Sequence, residues 1–510
     1  MWGKVQLPLA NIENAHFSRG IGMNSKHITL VVACAAILAL ASCSGVKTPC
    51  TTNCGGGGSG NASLNLVVAA VPFTPPPNTS ILSFAVVINS VSLTPSSGGS
   101  DVSIPLNAST YSVDLTRLTS DSSFLGQSIN SVPSGTYDAL SVNLSAVVTY
   151  CAATGSSPGC IPGSVAQISK SFSTPTASNF SLTLSDSQQA GLRLLINFAN
   201  ALTVNAGTQA VTALNLTAAN VVMTATLPPA ASTLSAGQLD YIEDLTGLVT
   251  AVTANSITVQ TATRGSISST ITSNTIGSPN CVIGNQACTA TVGQVASIDG
   301  TLNSDGSSTL LEYDPLTTSS EDLIEGIATT SNATSTLFQI VTNDFVPASS
   351  GSLLSGLSLG DPVNVTLSNV LPFVIDSKGL PVVTTAFDGS TSATDILPGQ
   401  TVLLHVTRFT AKSGNTPANA TVDAVALRFT RLAGNISAPP APNFSVQYLP
   451  PFFGQTGTNQ VQLGTGSPST YLDGYSSSGS ITVGDNVSMR ALFFGLSYTP
   501  SFTAAKVRKN

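Results

Sequence analysis

Strict alternation of apolar and polar residues recurs along most of this chain and sets the first expectation of its structure. Leu140, Val142, Leu144, Ala146 and Val148 alternate with Ser141, Asn143, Ser145 and Thr149, the period of two that predicts a strand with one face in water. The same period runs through Val91/Leu93, Phe180/Leu182/Leu184 and Leu192/Leu194/Ile196/Phe198. Turn-forming clusters such as Pro95-Ser-Ser-Gly-Gly and Pro133-Ser-Gly separate the runs. Strands with one wet face must bury the other, so residues 63–230 are expected to fold as an antiparallel β-sandwich.

Beyond residue 230 the pattern becomes repetitive. Gly247 lies thirteen residues before Gln260, Gly326 thirteen before Gln339, and Gly434 thirteen before Gln447. Each spacing joins a glycine-led strand to one holding an apolar-Gln pair, and a repeated spacing predicts a repeated strand pairing. A glycine turn into a further strand follows in each unit, at Gly293, at Gly360 or Gly399, and at Gly484, with final strands near Leu310, Ala426 and Ala505. Units of about five strands can close on themselves and remove their sheet edges. The expected class is therefore all-β: a sandwich followed by small β-barrel-like repeats at 235–320, 321–431 and 432–510. The middle repeat is the longest, through an insertion around 366–397. Each repeat is expected to have its own core and to behave as a semi-independent unit.

The first 62 residues break the alternation. Lys26 and His27 precede the apolar run Ile28–Cys43, which is shorter than the ~20 residues of a membrane span and has signal-peptide proportions. It ends in Leu40-Ala41-Ser42-Cys43, which resembles the lipobox of bacterial lipoproteins; a buried helix ending in cysteine is the alternative. The resemblance implies cleavage before Cys43 and lipidation of that residue. Each buried acyl CH2 contributes ~0.8 kcal/mol, so two or three chains anchor firmly. Ser44, in place of Asp, implies by the same resemblance the outer rather than the inner membrane. Residues 1–42 are taken as a leader, with the signal peptide at 23–42 and Met23 as the expected start. Residues 43–62, with four consecutive glycines, are a flexible tether.

Two family resemblances follow from the motifs. Val113-Asp114-Leu115, Pro133-Ser-Gly-Thr-Tyr137 and Gly191-Leu-Arg193-Leu194 occur in the order seen in domain of unknown function 4382, found at the front of many predicted bacterial lipoproteins, with Arg193 where that family tends to have Lys. The likeness covers about residues 64–226. The three later units resemble domain of unknown function 5666, small barrel-like repeats of exported bacterial proteins. Neither resemblance implies an activity.

Only 8% of the chain is charged, against an average near ~25%. Without the leader, fourteen basic and twenty-three acidic residues remain. No basic patch is available to neutralise phosphates, so nucleic acid is not an expected partner. Of eight cysteines, Cys34 leaves with the leader and Cys43 takes lipid. Three close pairs remain, Cys50 with Cys54, Cys151 with Cys160, and Cys281 with Cys288, each expected to be a local disulfide in an oxidising compartment. Metal binding lacks ligands: no pair has CxxC spacing, and His405 is the one histidine after the leader. No metal or other cofactor is expected.

Catalytic constellations are equally sparse. His405 sits among apolar neighbours in TVLLHVTRF, and no G-x-S-x-G elbow surrounds a serine; it is expected to be packed or hydrogen-bonded on a sheet face. Glu321, Asp322 and Glu325 could pair as carboxylates for glycoside hydrolysis, but are expected to decorate a linker. Asp299, Asp305 and Asp314 lack EF-hand spacing and are expected at hairpin turns rather than around calcium. Phe444, Tyr448, Phe452 and Phe453 offer an aromatic surface for a sugar, against a packed edge or linker. No catalytic residue is assigned. The expected protein is a lipid-anchored, non-enzymatic structural or binding module of the cell envelope, on the periplasmic side or the cell surface. A binder of polysaccharide or metal is the alternative, and a hydrolase the second. Expected partners are the membrane through the lipid, and envelope proteins or polysaccharide.

Overall fold

The computed structural model describes residues 60–510 apart from 73–78, 157, 178–179, 219–221, 227–236, 278–280, 283–289, 319, 331–333, 441–442, 455–458 and 467. The leader and Cys43 lie outside these residues. So do Cys50, Cys54 and Cys288, and the side chain of Cys281. Of the three expected disulfides, those of Cys50 with Cys54 and of Cys281 with Cys288 therefore fall outside the described residues, and the disulfide described is that of Cys151 with Cys160. Ser59–Asn510 forms one compact unit whose regular secondary structure, among the described residues, is nearly all strand.

The first part is a sandwich. One sheet orders Val222–Thr226, Gln189–Asn197, Asn61–Ala70 and Ser123–Pro133; the other is built on the long pair Thr79–Pro95 and Gly135–Ala152. That pair is antiparallel from Thr79↔Ala152 to Pro95↔Tyr137. The alternating residues Leu140, Val142, Leu144, Ala146 and Val148 all face a core completed by Leu64, Leu66 and Val68 from the opposite sheet. One expectation needs correction: the sandwich is not wholly antiparallel, because Asn61–Ala70 runs parallel to Gln189–Asn197 over eight registered pairs. The crossover between them spans most of the domain, as a parallel connection requires.

Three five-stranded barrels follow. Barrel 1 uses Gln238–Val252, Ser256–Gln260, Ser266–Thr270, Gln294–Asn303 and Ser308–Thr318. Barrel 2 uses Asp322–Ala328, Leu337–Val346, Pro362–Leu367, Thr401–Thr410 and Ala418–Arg428. Barrel 3 uses Thr430–Ala438, Phe444–Gln447, Asn459–Leu463, Asn486–Phe493 and Phe502–Lys509. In each, the first strand pairs the second and the fourth, and the third closes on the fifth in parallel. This is the Greek-key closure of an OB-type barrel. A short extra strand, Ile276–Gly277, Val374–Ile375 or Tyr471–Asp473, lies parallel to each fifth strand.

The repeated glycines have a steric reason. A Cβ on Gly247 would sit 2.4 Å from the Gln260 carbonyl oxygen, and one on Gly434 would sit 2.8 Å from that of Gln447. In barrels 1 and 3 the thirteen-residue spacing is therefore the pairing register, with Leu248↔Gln260 and Asn435↔Gln447. Barrel 2 departs from it. Gly326 backs the Val341 carbonyl, at 2.6 Å, and Ile327 pairs Val341, so the structural counterpart of Gln260 is Val341 and not Gln339. The hairpin there is two residues longer, and the equal spacing to Gln339 is not a shared register.

The parts are joined by specific contacts. Asn65 Nδ2 donates to the Ser304 carbonyl at 2.9 Å, Asn107 Nδ2 to that of Arg264 at 2.6 Å, and Thr149 Oγ1 to that of Gly360 at 2.6 Å. The loop closed by the Cys151–Cys160 disulfide docks on two barrels, with Cys160 N donating to the Thr329 carbonyl and Gly159 N to that of Phe452. Replacing both cysteines by alanine is expected to cost ~2–3 kcal/mol from the loop-closure entropy of so short a ring, read as a lower midpoint in chemical denaturation. An unchanged midpoint would mean that the docking contacts hold the loop without the bond.

Candidate functional site

Few charges are present, and most of them converge. Nine of the seventeen lysines and arginines lie in buried ion pairs between the four parts. Asp244 is the centre. It belongs to the first strand of barrel 1, at a bulge where its φ is 49° and its backbone N–H donates to Asp299 Oδ1. Arg490 of barrel 3 grips its carboxylate with two nitrogens, at 2.8 and 2.6 Å. Lys378 approaches to 2.9 Å, Arg431 to 3.0 Å and Arg428 to 3.5 Å.

From Asp244 the cluster spreads. Arg428, 1% exposed, also pairs with Asp376, Glu325 and Asp314. Glu325 receives Arg117 of the sandwich, Arg431 faces Asp121, and Lys378 and Arg490 both reach Asp299. The cations are Arg117, Lys378, Arg428, Arg431 and Arg490. The carboxylates are Asp121, Asp244, Asp299, Asp314, Glu325 and Asp376, with Glu312 opposite Asp299 on the neighbouring strand. Seven carboxyl groups thus face five cations. A second cluster of Arg193, Lys506 and Arg508 with Asp240, Glu243 and Asp473 is balanced, as is the pair Arg264–Asp344.

The excess of acid appears in the proton affinities. Burial would raise the Asp244 carboxyl, but Arg490, Lys378, Arg431 and Arg428 overcome it and hold it well below the usual range. Asp299 is likewise lowered against burial by Arg490 and Lys378. Glu312 has no such clamp: burial, with Asp299 and Asp314 nearby, pushes it up to about 7 against Lys378 and Arg490. Burial and Asp376 push Asp314 to about 7, and burial with Glu243 pushes Asp121 to about 6.

A cavity of about 400 Å³ opens beside this cluster, where barrel 1, the insertion of barrel 2 and barrel 3 meet. Tyr241, Glu243, Asp299, Thr301 and Glu312 line it from barrel 1, Lys378 and Leu380 from the insertion, and Tyr471 and Arg490 from barrel 3. Asp299 and Thr301 alternate with Ile298 and Leu302, which fill the core of barrel 1, so they stand on its outer face. The Tyr241 and Tyr471 rings meet at 4.7 Å between centroids, with the buried Lys506 ammonium over both.

Several residues singled out in the sequence have other roles than expected. Asp322 and Glu325 do not decorate a linker: both are buried, Asp322 accepting from Ala348 N, Ser352 Oγ and Leu353 N, and Glu325 ion-paired. Glu321 is half-buried and accepts from Thr317 Oγ1. Asp305 is at a turn, accepting from Ser307 beside Gly306, whereas Asp299 and Asp314 are strand residues of the buried cluster. His405 lies in a strand, with Nδ1 2.5 Å from Asp423 Oδ1. Phe444, Phe452 and Phe453 fill the core of barrel 3, which leaves Tyr448 alone exposed and removes the aromatic surface. Asp114 and Arg193, carried by two of the family-like motifs, contact the barrels: Asn343 Nδ2 donates to Asp114, and Arg193 pairs with Asp240. No protein-family model matches this chain, and no curated protein matches it.

Proposed function

We propose that this protein is a lipid-anchored, non-enzymatic binding module of the cell envelope, held at the membrane by Cys43, with the junction cavity as its binding site. The observation that carries the binding half is the cavity wall: charged groups from three parts of the chain are fixed there by ion pairs to one another, the preorganisation that small-molecule sites use. The leader and the Leu40–Cys43 motif support the anchor, and the resemblance of residues 64–226 to a lipoprotein domain supports the same address.

A hydrolase is the second reading, favoured by one observation. Asp299 and Glu312 are cross-strand neighbours whose proton affinities are pushed apart, the arrangement that assigns acid and base in glycoside hydrolysis. Asp299 is nevertheless a poor nucleophile. Oδ1 accepts from Asp244 N and Lys378, and Oδ2 faces Arg490 at 3.1 Å, so its lone pairs are engaged and its charge is neutralised.

Labelled fatty acid should enter the wild-type protein and not Cys43→Ser; equal labelling would remove the anchor. Turnover of chromogenic glycosides that disappears in Asp299→Asn would establish the hydrolase in place of the binding module.

A further inference from the structure

We propose that the junction cavity binds a small organic cation, an ammonium carried on an apolar or aromatic body, with Glu312 as its counter-ion. The inference rests on the reading of the cavity as a binding site and names what enters it.

The unmet groups of the cavity are hydrogen-bond acceptors or can act as acceptors. Thr301 is 3% exposed and its Oγ1 has no hydrogen-bond partner among the described residues. Glu243 is paired through Oε1 to Lys506 at 3.4 Å, while its buried Oε2 has no hydrogen-bond partner among the described residues. Glu312 has no ion pair among the described residues, although it stands directly opposite Asp299, which holds two. A ligand that satisfies these groups must bring donors. A buried carboxylate is stabilised by a paired charge far more than by a neutral donor.

The same acidic face already accepts one ammonium. Lys378, carried in by the insertion at a residue with φ of 47°, places Nζ between Asp244 and Asp299 at 2.9 and 3.2 Å. Arg490 shares Asp244 Oδ1 with Lys378, also holds Asp244 Oδ2, and takes the other oxygen of Asp299, Oδ2. With all five cations in place the cluster around Asp244 still has two carboxyl groups too many, and Glu312, without an ion pair among the described residues, lines the open volume. The walls suit the apolar or aromatic body of such a ligand, because Tyr241 and Tyr471 present ring surface and Phe429 and Leu380 apolar surface. A metal ion is not favoured: among the described residues no three His, Cys, Asp or Glu side chains are grouped to hold one.

The groups that face Glu312 set its response to pH. Asp299 and Asp314 raise its proton affinity, Lys378 and Arg490 lower it, and burial outweighs them, leaving it near 7. Binding an ammonium requires the carboxylate, so affinity should rise with pH and a proton should leave as the ligand enters.

The test is isothermal titration of the purified full chain with 2-phenylethylammonium, in two buffers of different ionisation enthalpy, beside the neutral isostere 2-phenylethanol and glucose. The expected result is saturable binding of the ammonium with proton release near pH 7 and an affinity about tenfold higher at pH 8 than at pH 6. Glu312→Gln, which neutralises a group that is half-protonated near pH 7, should lose at least tenfold in affinity and all of the pH dependence. Thr301→Val should weaken binding several-fold while the thermal transition is kept. Binding of 2-phenylethanol or glucose as tight as that of the ammonium overturns the cation but leaves the binding module standing. Ammonium binding that is unaltered in Glu312→Gln overturns the assigned counter-ion and with it the inference. No binding of any of the three overturns the inference too, while the anchor is decided separately by fatty-acid labelling.

Discussion

Asp244→Ala is expected to abolish the folded state or to leave it barely populated. The carboxylate is 1% exposed, and four cations from barrels 2 and 3 converge on it. Removing one partner of a buried ion pair typically costs ~3–5 kcal/mol, because the other is left as an uncompensated buried charge. Here one deletion strands Arg490, Lys378, Arg431 and Arg428 together, so the loss should reach the upper end of that range or exceed it. A domain with a stability of ~5–15 kcal/mol tolerates little of this. Asp244→Asn keeps the shape and removes the charge, and should fail almost as badly. The control is Asp423→Ala, which breaks the partly exposed pair with His405 and should cost under ~1 kcal/mol. Denaturation midpoints and soluble yield decide the matter. A midpoint for Asp244→Ala within about 1 kcal/mol of wild type, the scale of an exposed pair, would mean that the cluster adapts around the gap and is not what locks the four parts together.

The same cluster changes how the repeats are to be understood. Each barrel has its own apolar core, Val249, Ile257 and Val259 in barrel 1, Ile340, Val363 and Val365 in barrel 2, and Ile436, Phe444 and Val446 in barrel 3. The charges do not divide in that way. Barrel 1 gives Asp244, Asp299, Glu312 and Asp314 to the central cluster and no cation, while Lys378, Arg428, Arg431 and Arg490 come from barrels 2 and 3. A chain ending near residue 320 would present Asp244, Asp299, Glu312 and Asp314 as one acidic face, with Arg117 of the sandwich as the one cation of the central cluster left to it. Semi-independent folding of the first half is therefore expected only where salt or low pH screens or neutralises that face.

The strands were legible because a period of two is local: Leu140 to Val148 announces its buried face without any knowledge of its partner. The glycines were legible for barrels 1 and 3, where Gly247 and Gly434 meet Gln260 and Gln447 across a short hairpin, and misleading for barrel 2, where two extra residues shift the contact to Val341. The cluster was not legible as a cluster, since Arg117, Asp244, Lys378 and Arg490 are scattered over several hundred residues and each is an ordinary charge in its own segment. A weaker signal was present. Phe429-Thr-Arg431-Leu432, Met489-Arg490-Ala491-Leu492 and Ala505-Lys506-Val507-Arg508 embed cations in apolar strands, and a chain with so little charge has no reason to place it there unless it is paired inside. The cavity could not be read at all, because its walls come from barrel 1, the insertion of barrel 2 and barrel 3.

Stability should fall as the pH is raised from about 5 to about 8, opposite to the behaviour expected of a protein held by ordinary salt bridges. Glu312 rises from 4.5 to about 7, Asp314 from 3.8 to about 7 and Asp121 from 3.8 to about 6 on folding, burial being the first cause in each. Between roughly pH 4 and 7 the folded state therefore keeps protons that the unfolded chain has released. Each such proton makes stability decline by about 1.4 kcal/mol per pH unit while the difference lasts. The contribution is complete below the unfolded values and is lost as pH rises through the folded ones. Asp240, Asp244 and Asp299 act in the other sense: their folded proton affinities are lowered, so their contribution is present above about pH 4 and is lost as pH falls below it. The two slopes cross near the unfolded carboxyl values and give a maximum near pH 4. The melting temperature should peak there and decline toward pH 8, and the decline should flatten in a Glu312→Gln, Asp314→Asn double variant, which carries the neutral form at every pH. A wild-type melting temperature that climbs from pH 5 to pH 8 would mean that Glu312 and Asp314 are ionised and compensated in the folded protein. The count of seven carboxyl groups against five cations would then have to include a cation from outside the described chain.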